Sequence, residues 1–149
     1  MKKYSLVLTV SFLSLLFIAG SCDKDEPQAP TKSEYIRTGT WKFQSATYGG
    51  LDVSNAHQLA CFVDNTIRFT SADYTVDEGT IICAPPTSGT NTWSLQNNDT
   101  QLVLASALVP GGSGTFTLVS VNANNLVISQ MATIPPATTA QEVVVTFKH

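Results

Sequence analysis

The chain has 149 residues, 43% of them hydrophobic and 13% charged, with a formal net charge of −3. That is enough apolar material for one domain core, which excludes wholesale disorder, and too little Glu, Lys and Arg for a coiled coil or long helical bundle. Acidic residues outnumber basic ones, 11 to 8, and no basic stripe breaks the pattern, so nucleic acid is excluded as an expected partner.

The first segment is not part of a domain. Lys2 and Lys3 precede an apolar run from Leu6 to Ala19, and the small residues Gly20 and Ser21 follow. This is the layout of a secretory signal peptide over residues 1–21. The run falls short of the roughly 20 apolar residues a membrane-spanning helix takes. At its exit stands Ala19-Gly20-Ser21-Cys22. The tetrapeptide resembles the lipobox of bacterial lipoproteins, with Ala19 where that box more often has Leu. Lys24-Asp25-Glu26 behind it is similar to the surface-export signal of Bacteroidetes-type lipoproteins. The resemblance implies that Cys22 is lipidated and that the chain is held in the outer membrane, at the cell surface. Several acyl chains, at about 0.8 kcal/mol per buried CH₂, would make that anchor stable. Residues 22–33, with Pro27 and Pro30 and no large apolar side chain, read as lipidated cysteine and flexible tether, leaving residues 34–149 as the domain.

From Glu34 onward the apolar period is two, the signature of half-buried strands. Thr40–Ser45 and Thr66–Thr70 alternate large apolar with polar residues. Tyr74–Val76 and Thr80–Cys83 flank Asp77-Glu78-Gly79, which reads as a hairpin turn. Thr92–Leu95 and Leu102–Leu104 flank Gln96-Asn97-Asn98-Asp99, and Thr115–Val121 and Leu126–Ile128 flank an Asn-rich turn at 122–125. Glu142–Phe147 closes the series. Helix is confined to one turn at Ser33–Thr38 and one near Asn55–Leu59, the latter with Asn55 as its cap. Tight turns force antiparallel neighbours, and closure removes exposed edges. The expected fold is all-β: an eight-stranded antiparallel up-and-down barrel.

Gly39-Thr40-Trp41 opening the first strand resembles the G-x-W motif of lipocalins. The ordered landmarks that follow are Cys61 through Phe69, Tyr74, Asp77-Glu78-Gly79, Cys83 and Gly89 through Leu95. Together they are similar to the lipocalin-like domain of Bacteroidetes lipoproteins, from about Tyr35 to the C-terminus. The resemblance implies a calycin-like barrel without implying one ligand. It also implies a closing latch, in which Trp41, behind Gly39, packs under a basic side chain at the end of the last strand. Lys148 is the basic residue at that place.

With Cys22 assigned to lipid, Cys61 and Cys83 form an even pair in an exported domain, where disulfides persist. His57, four residues before Cys61, gives a weaker alternative in which that cysteine is a free nucleophile. Only His57 and His149 are available as imidazole ligands, and Asp73, Asp77 and Glu78 do not follow calcium-loop spacing, so no metal is expected. Asp64, Asp73, Asp99 and Glu142 fall at strand ends or turns, where nothing around them favours paired-carboxylate catalysis. No nucleophile elbow is present, and Gly111-Gly112-Ser113-Gly114 reads as a flexible loop rather than a phosphate cradle. No enzyme and no cofactor are expected.

Inward aromatics either fill such a barrel or line its mouth. Trp41 is expected to seal the closed end, and Tyr74, Trp93 and Phe116 are the candidates for lining a ligand. The leading expectation is an envelope lipoprotein that binds a small apolar or amphipathic molecule. The alternative is a structural or interaction lipoprotein with a filled barrel, an accessory subunit of an envelope or glycan-uptake assembly.

Overall fold

Thr31 opens the first helix of the computed structural model, which describes residues 28–149. The signal segment, Cys22 and the tether up to residue 27 lie outside the described residues. Helix α1 spans Lys32–Ile36 and starts with a capping box, in which Thr31 and Glu34 satisfy each other's backbone N–H. The tether boundary expected at Ser33 therefore falls inside this helix.

The strands are β1 (Trp41–Tyr48), β2 (Leu51–Asp52), β3 (Thr66–Phe69), β4 (Asp73–Asp77), β5 (Gly89–Gln96), β6 (Gln101–Leu104), β7 (Thr115–Val121), β8 (Asn125–Ala132) and β9 (Gln141–Lys148). They pair antiparallel in the order β1-β3-β4-β5-β6-β7-β8-β9, and β9 returns to β1 to close an eight-stranded barrel. The two-residue β2 lies outside the ring as a hairpin on β1. The inward positions carry the apolar residues that the alternation marks: Trp41, Ile67, Phe69, Tyr74, Val76, Leu102, Leu104, Phe116, Leu118, Leu126, Ile128, Val143, Val145 and Phe147 are all buried. Bulges at Phe43/Ser45 and Leu118/Ser120 add a residue to β1 and β7, so both partners keep their apolar face inward.

One barrel end holds α1 and the short turns at 70–72, 97–100 and 122–124, and is called the closed end below. The other, the mouth, holds the β1–β2 hairpin, a 3-10 helix at His57–Phe62, and the connections 78–88, 105–114 and 133–140. The 3-10 helix starts later than the expected turn, with Ala56 rather than Asn55 at its cap and no side-chain capping bond.

Thr80–Cys83, expected as a strand, is part of the mouth connection. β4 pairs with β5, for example Tyr74 opposite Asn91, and not with 80–83. The backbone donors of this stretch go to carboxylates instead of a ladder. Asp64 accepts from the Thr80 and Ile81 N–H groups, and Glu78 accepts from the Cys83 N–H. Once two side chains satisfy those donors, the stretch has no need of a strand partner. The glycine run at 111–114 is likewise not a free loop. A Cβ at Gly112 would lie 2.6 Å from Gln130 Nε2 and from Val109 Cγ2, so the backbone lies directly against β8.

Candidate functional site

The closed end is sealed from inside. Trp41 is fully buried and its indole N–H donates to the Ile36 carbonyl at 2.7 Å, tying α1 across the barrel floor. The ring stacked on that indole belongs to His149, with centroids 3.9 Å apart and planes inclined by 28°. Lys148 is not the latch. It sits opposite Lys42 on β1, and since its neighbour Phe147 points inward, strand alternation turns Lys148 to solvent. Gly39 has φ +69, and a Cβ there would stand 3.1 Å from the His149 ring, so a side chain would meet the stack.

Tyr74, Trp93 and Phe116 belong to the packed interior and line none of the cavities described below. Tyr74 and Phe116 are fully buried, and the Tyr74 hydroxyl accepts from the Ser106 N–H at 3.2 Å. Phe69 packs edge-on against Trp93, centroids 5.1 Å apart, and Trp93 donates its indole N–H to the Thr70 carbonyl. These aromatics fill the half of the barrel nearer the floor.

The mouth half is closed by loop side chains. β1 and β3 pair only through Trp41–Ile67 and Lys42–Thr66, so above that point the two strands leave a seam. The 3-10 helix fills it, with Leu59 buried and Phe62 packed against the core. Behind them remains a cavity of about 20 Å³, bounded also by Phe43, Ile67, Val76 and Val145. This is room for about one water molecule, so the interior is filled.

The 3-10 helix is pinned from its outer side. A disulfide joins Cys61 to Cys83, as the paired cysteines predicted. Next to it, Glu78, which the sequence reading puts in a hairpin turn, is only 2% exposed. The Thr87 N–H, aided by the Thr87 hydroxyl and the Cys83 N–H, holds the Glu78 carboxyl below the usual range despite burial. The Thr80 N–H, with the Thr80 hydroxyl and the Ile81 N–H, does the same for Asp64. Asn65, with its amide nitrogen turned toward the acceptors, donates to the Cys61 carbonyl at 2.9 Å and the Glu78 carbonyl at 3.2 Å. Both carboxylates are loop anchors, kept ionised by the backbone they organise.

Two grooves flank the 3-10 helix. The first, about 380 Å³, is walled by Tyr48, Val53, Ala56, Leu59, Ile134, Pro135, Pro136 and Ala137, with Gln58 as the polar side chain. The second, about 330 Å³, runs beside the disulfide between Phe62, Pro85, Ala107, Val109 and Pro110. Both are in the range of small-ligand sites, unlike the interior. No periodicity marks their residues, because apart from Tyr48 at the end of β1 they come from connections rather than strands. Among the described residues, no group of three or more His, Cys, Asp or Glu side chains converges, and no helix is long and apolar enough to cross a membrane.

The family model described as lipocalin-like domain matches residues 38–128, from just before β1 into β8. No curated protein matches the chain.

Proposed function

Because the chain belongs to the lipocalin-like domain family, we propose that it is an envelope lipoprotein of the Bacteroidetes type whose barrel binds a small apolar or amphipathic molecule at its mouth. The observation that carries the reading is the groove of about 380 Å³ between the 3-10 helix, the β1–β2 hairpin and the Ile134–Ala137 connection. The filled interior moves the ligand from a deep cup to the mouth. Lipid on Cys22 anchors the module in the outer membrane, facing the cell exterior. The described chain begins at the closed end, the end opposite the mouth.

Native mass spectrometry of the protein purified from its own cells tests the reading. The expected result is a retained small molecule that Ala137→Trp, which fills the groove, displaces. A bare protein that also ignores a neutral apolar fluorophore would overturn it.

One observation favours the second reading, a protein-interaction module. Val63, Ile81 and Ile82 are 44%, 45% and 59% exposed, and the Asp64 bonds to Thr80 and Ile81 bring the two segments together beside the disulfide. An exposed apolar group of this kind is suited to a protein partner.

A further inference from the structure

The five Lys and Arg of the described residues all stand at the closed end, and all are exposed: Lys32, Arg37, Lys42, Arg68 and Lys148. Three of them form a row on the outer face of adjacent strands. Lys148 on β9 is directly opposite Lys42 on β1, Lys42 is opposite Thr66 on β3, and Arg68 follows Thr66 by two positions on the same face. Their neighbours Trp41, Ile67, Phe69 and Phe147 point into the barrel, so strand alternation turns all three cations outward. Opposite side chains in a sheet are about 5 Å apart at Cβ and diagonal ones about 7–8 Å, so the row is compact. No carboxylate is set opposite any of the three: the remaining cross-strand partners are Asn125 for Lys148 and Thr75 for Arg68. Asp73 is diagonal to Arg68. The other closed-end acids are placed elsewhere, Glu34 bonded to Thr31 and Asp99 in the turn whose carbonyl takes Lys32. Like charges set opposite each other weaken a sheet, and an anion lying over the row offsets that cost. The sequence shows no basic stripe because residues 42, 68 and 148 meet only when β9 closes on β1.

We propose that this row docks the closed end of the barrel on an anionic, phosphate-bearing lipid surface. This rests on the lipid-anchor reading above and adds to it which end of the barrel meets the membrane. Chain length agrees. Thr31, which caps α1 at the closed end, follows Cys22 by nine residues, and such a stretch reaches at most about 30 Å. The other end has no Lys or Arg among the described residues and exposes Asp52, Asp77 and Glu142, which an anionic surface repels. A lipid anchor and a basic patch together hold a protein to a membrane more firmly than either does alone. Each cation close to an anionic surface strengthens binding about fivefold. Docked in this way, the mouth and its two grooves face away from the lipid.

The test uses the full chain carrying Cys22→Ser, so that no acyl anchor masks what the barrel contributes. Binding is read by co-flotation with vesicles of phosphatidylcholine, alone or mixed with phosphatidylglycerol. Adding Lys42→Gln, Arg68→Gln and Lys148→Gln is expected to weaken binding to the mixed vesicles about tenfold or more at low ionic strength. Binding to phosphatidylcholine alone should not change, and added salt should erase the difference. Asn55→Asp with Ala60→Glu and Gln141→Glu shifts the net charge equally at exposed mouth positions and should leave binding as it is. A thermal melt checks that both variants are folded. Inorganic phosphate should compete no better than chloride at matched ionic strength, because the row faces many lipid phosphates at once. An unweakened row variant, an equal loss in the mouth variant, or displacement by inorganic phosphate beyond that by chloride overturns the proposal. The anchor reading is decided separately, by whether the lipidated parent partitions with membranes, so the two fail independently.

Discussion

His149 lies on the face of Trp41 at a centroid distance of 3.9 Å, and through Trp41 it touches the helix that floors the barrel. The last residue of the chain thus covers the first residue of the first strand. Its ring nitrogen Nδ1 also sits 3.1 Å from the Thr40 carbonyl, which fixes the ring's position over the indole. A contact of this kind adds about 0.5–1.5 kcal/mol beyond area burial. His149→Ala is therefore expected to cost about 1 kcal/mol in urea unfolding, against roughly 3–5 for Trp41→Ala. The double variant should show coupling of similar size to the single His149 loss. Coupling within error of zero would mean that the stack adds nothing to closure.

Lys148→Ala should behave as an ordinary surface change, within about 0.5 kcal/mol of the parent. Removing the like-charge apposition of Lys42 and Lys148 even favours a small gain. A loss of more than 1 kcal/mol would restore a role for the lysine in the latch.

The disulfide between Cys61 and Cys83 closes a segment with a sequence separation of 22. In the chain-entropy account, a loop of that length contributes about 3 kcal/mol. Alkylation of the unreduced protein followed by intact-mass measurement should leave both cysteines unmodified. Cys61→Ser with Cys83→Ser should lower the urea midpoint by a corresponding amount. Two alkylated thiols at these positions would contradict the bond.

How legible these features were depended on whether they came from strands or from connections. Trp41, Ile67, Phe69, Tyr74 and Phe147 announce themselves by alternation, and the barrel follows from it. Thr80–Cys83 has strand composition, yet its donors are claimed by Asp64 and Glu78, partners that no local pattern reveals. The latch shows the opposite failure. Alternation alone, counted from inward Phe147, places His149 inward and Lys148 outward, but the lipocalin resemblance drew attention to the basic side chain. The grooves were illegible because Tyr48 at the end of β1, Leu59 in the 3-10 helix and Ile134 in the β8–β9 connection meet only through long-range folding.

Acid should loosen the mouth first. The carboxyls of Asp64 and Glu78 are held below their ordinary range by Thr80 and Thr87 N–H groups respectively. A depressed folded pKa means stability that is fully present above the unfolded value and lost as pH falls through the folded one. Both contributions are thus intact near neutrality and disappear below about pH 4. Hydrogen exchange of the Thr80, Ile81, Cys83 and Thr87 amides should accelerate there before that of the strand amides. Glu78→Gln should weaken the Thr87 and Cys83 protection already at neutral pH. Strand and loop amides that exchange together at every pH would show that the carboxylates do not anchor the loop separately.

Cys22→Ser is the direct test of the anchor. The variant should leave the membrane fraction while its domain keeps the parent's melting temperature, because the strands that close the barrel begin at Trp41. A variant that still fractionates with membranes would place the anchor elsewhere.

The filled interior owes its filling to a helix that the strands do not require. Leu59 is 2% exposed and stands over the cavity of about 20 Å³, two residues from the disulfide at Cys61. Leu59→Ala removes three carbons from a wall that cannot freely collapse, since Cys61 is tied to Cys83 and the opposite wall is sheet. The expected cost is about 2–5 kcal/mol, toward the upper end where collapse is prevented. The enlarged space is apolar, so it should stay dry and accept benzene or xenon, detectable as a rise in melting temperature with added ligand. Combining Leu59→Ala with loss of the disulfide should let the helix sink inward, recover part of the cavity cost and weaken benzene binding. The two changes would then be less than additive in stability. Strict additivity with undiminished benzene binding would show that the sheet, and not the disulfide-held helix, keeps the interior open.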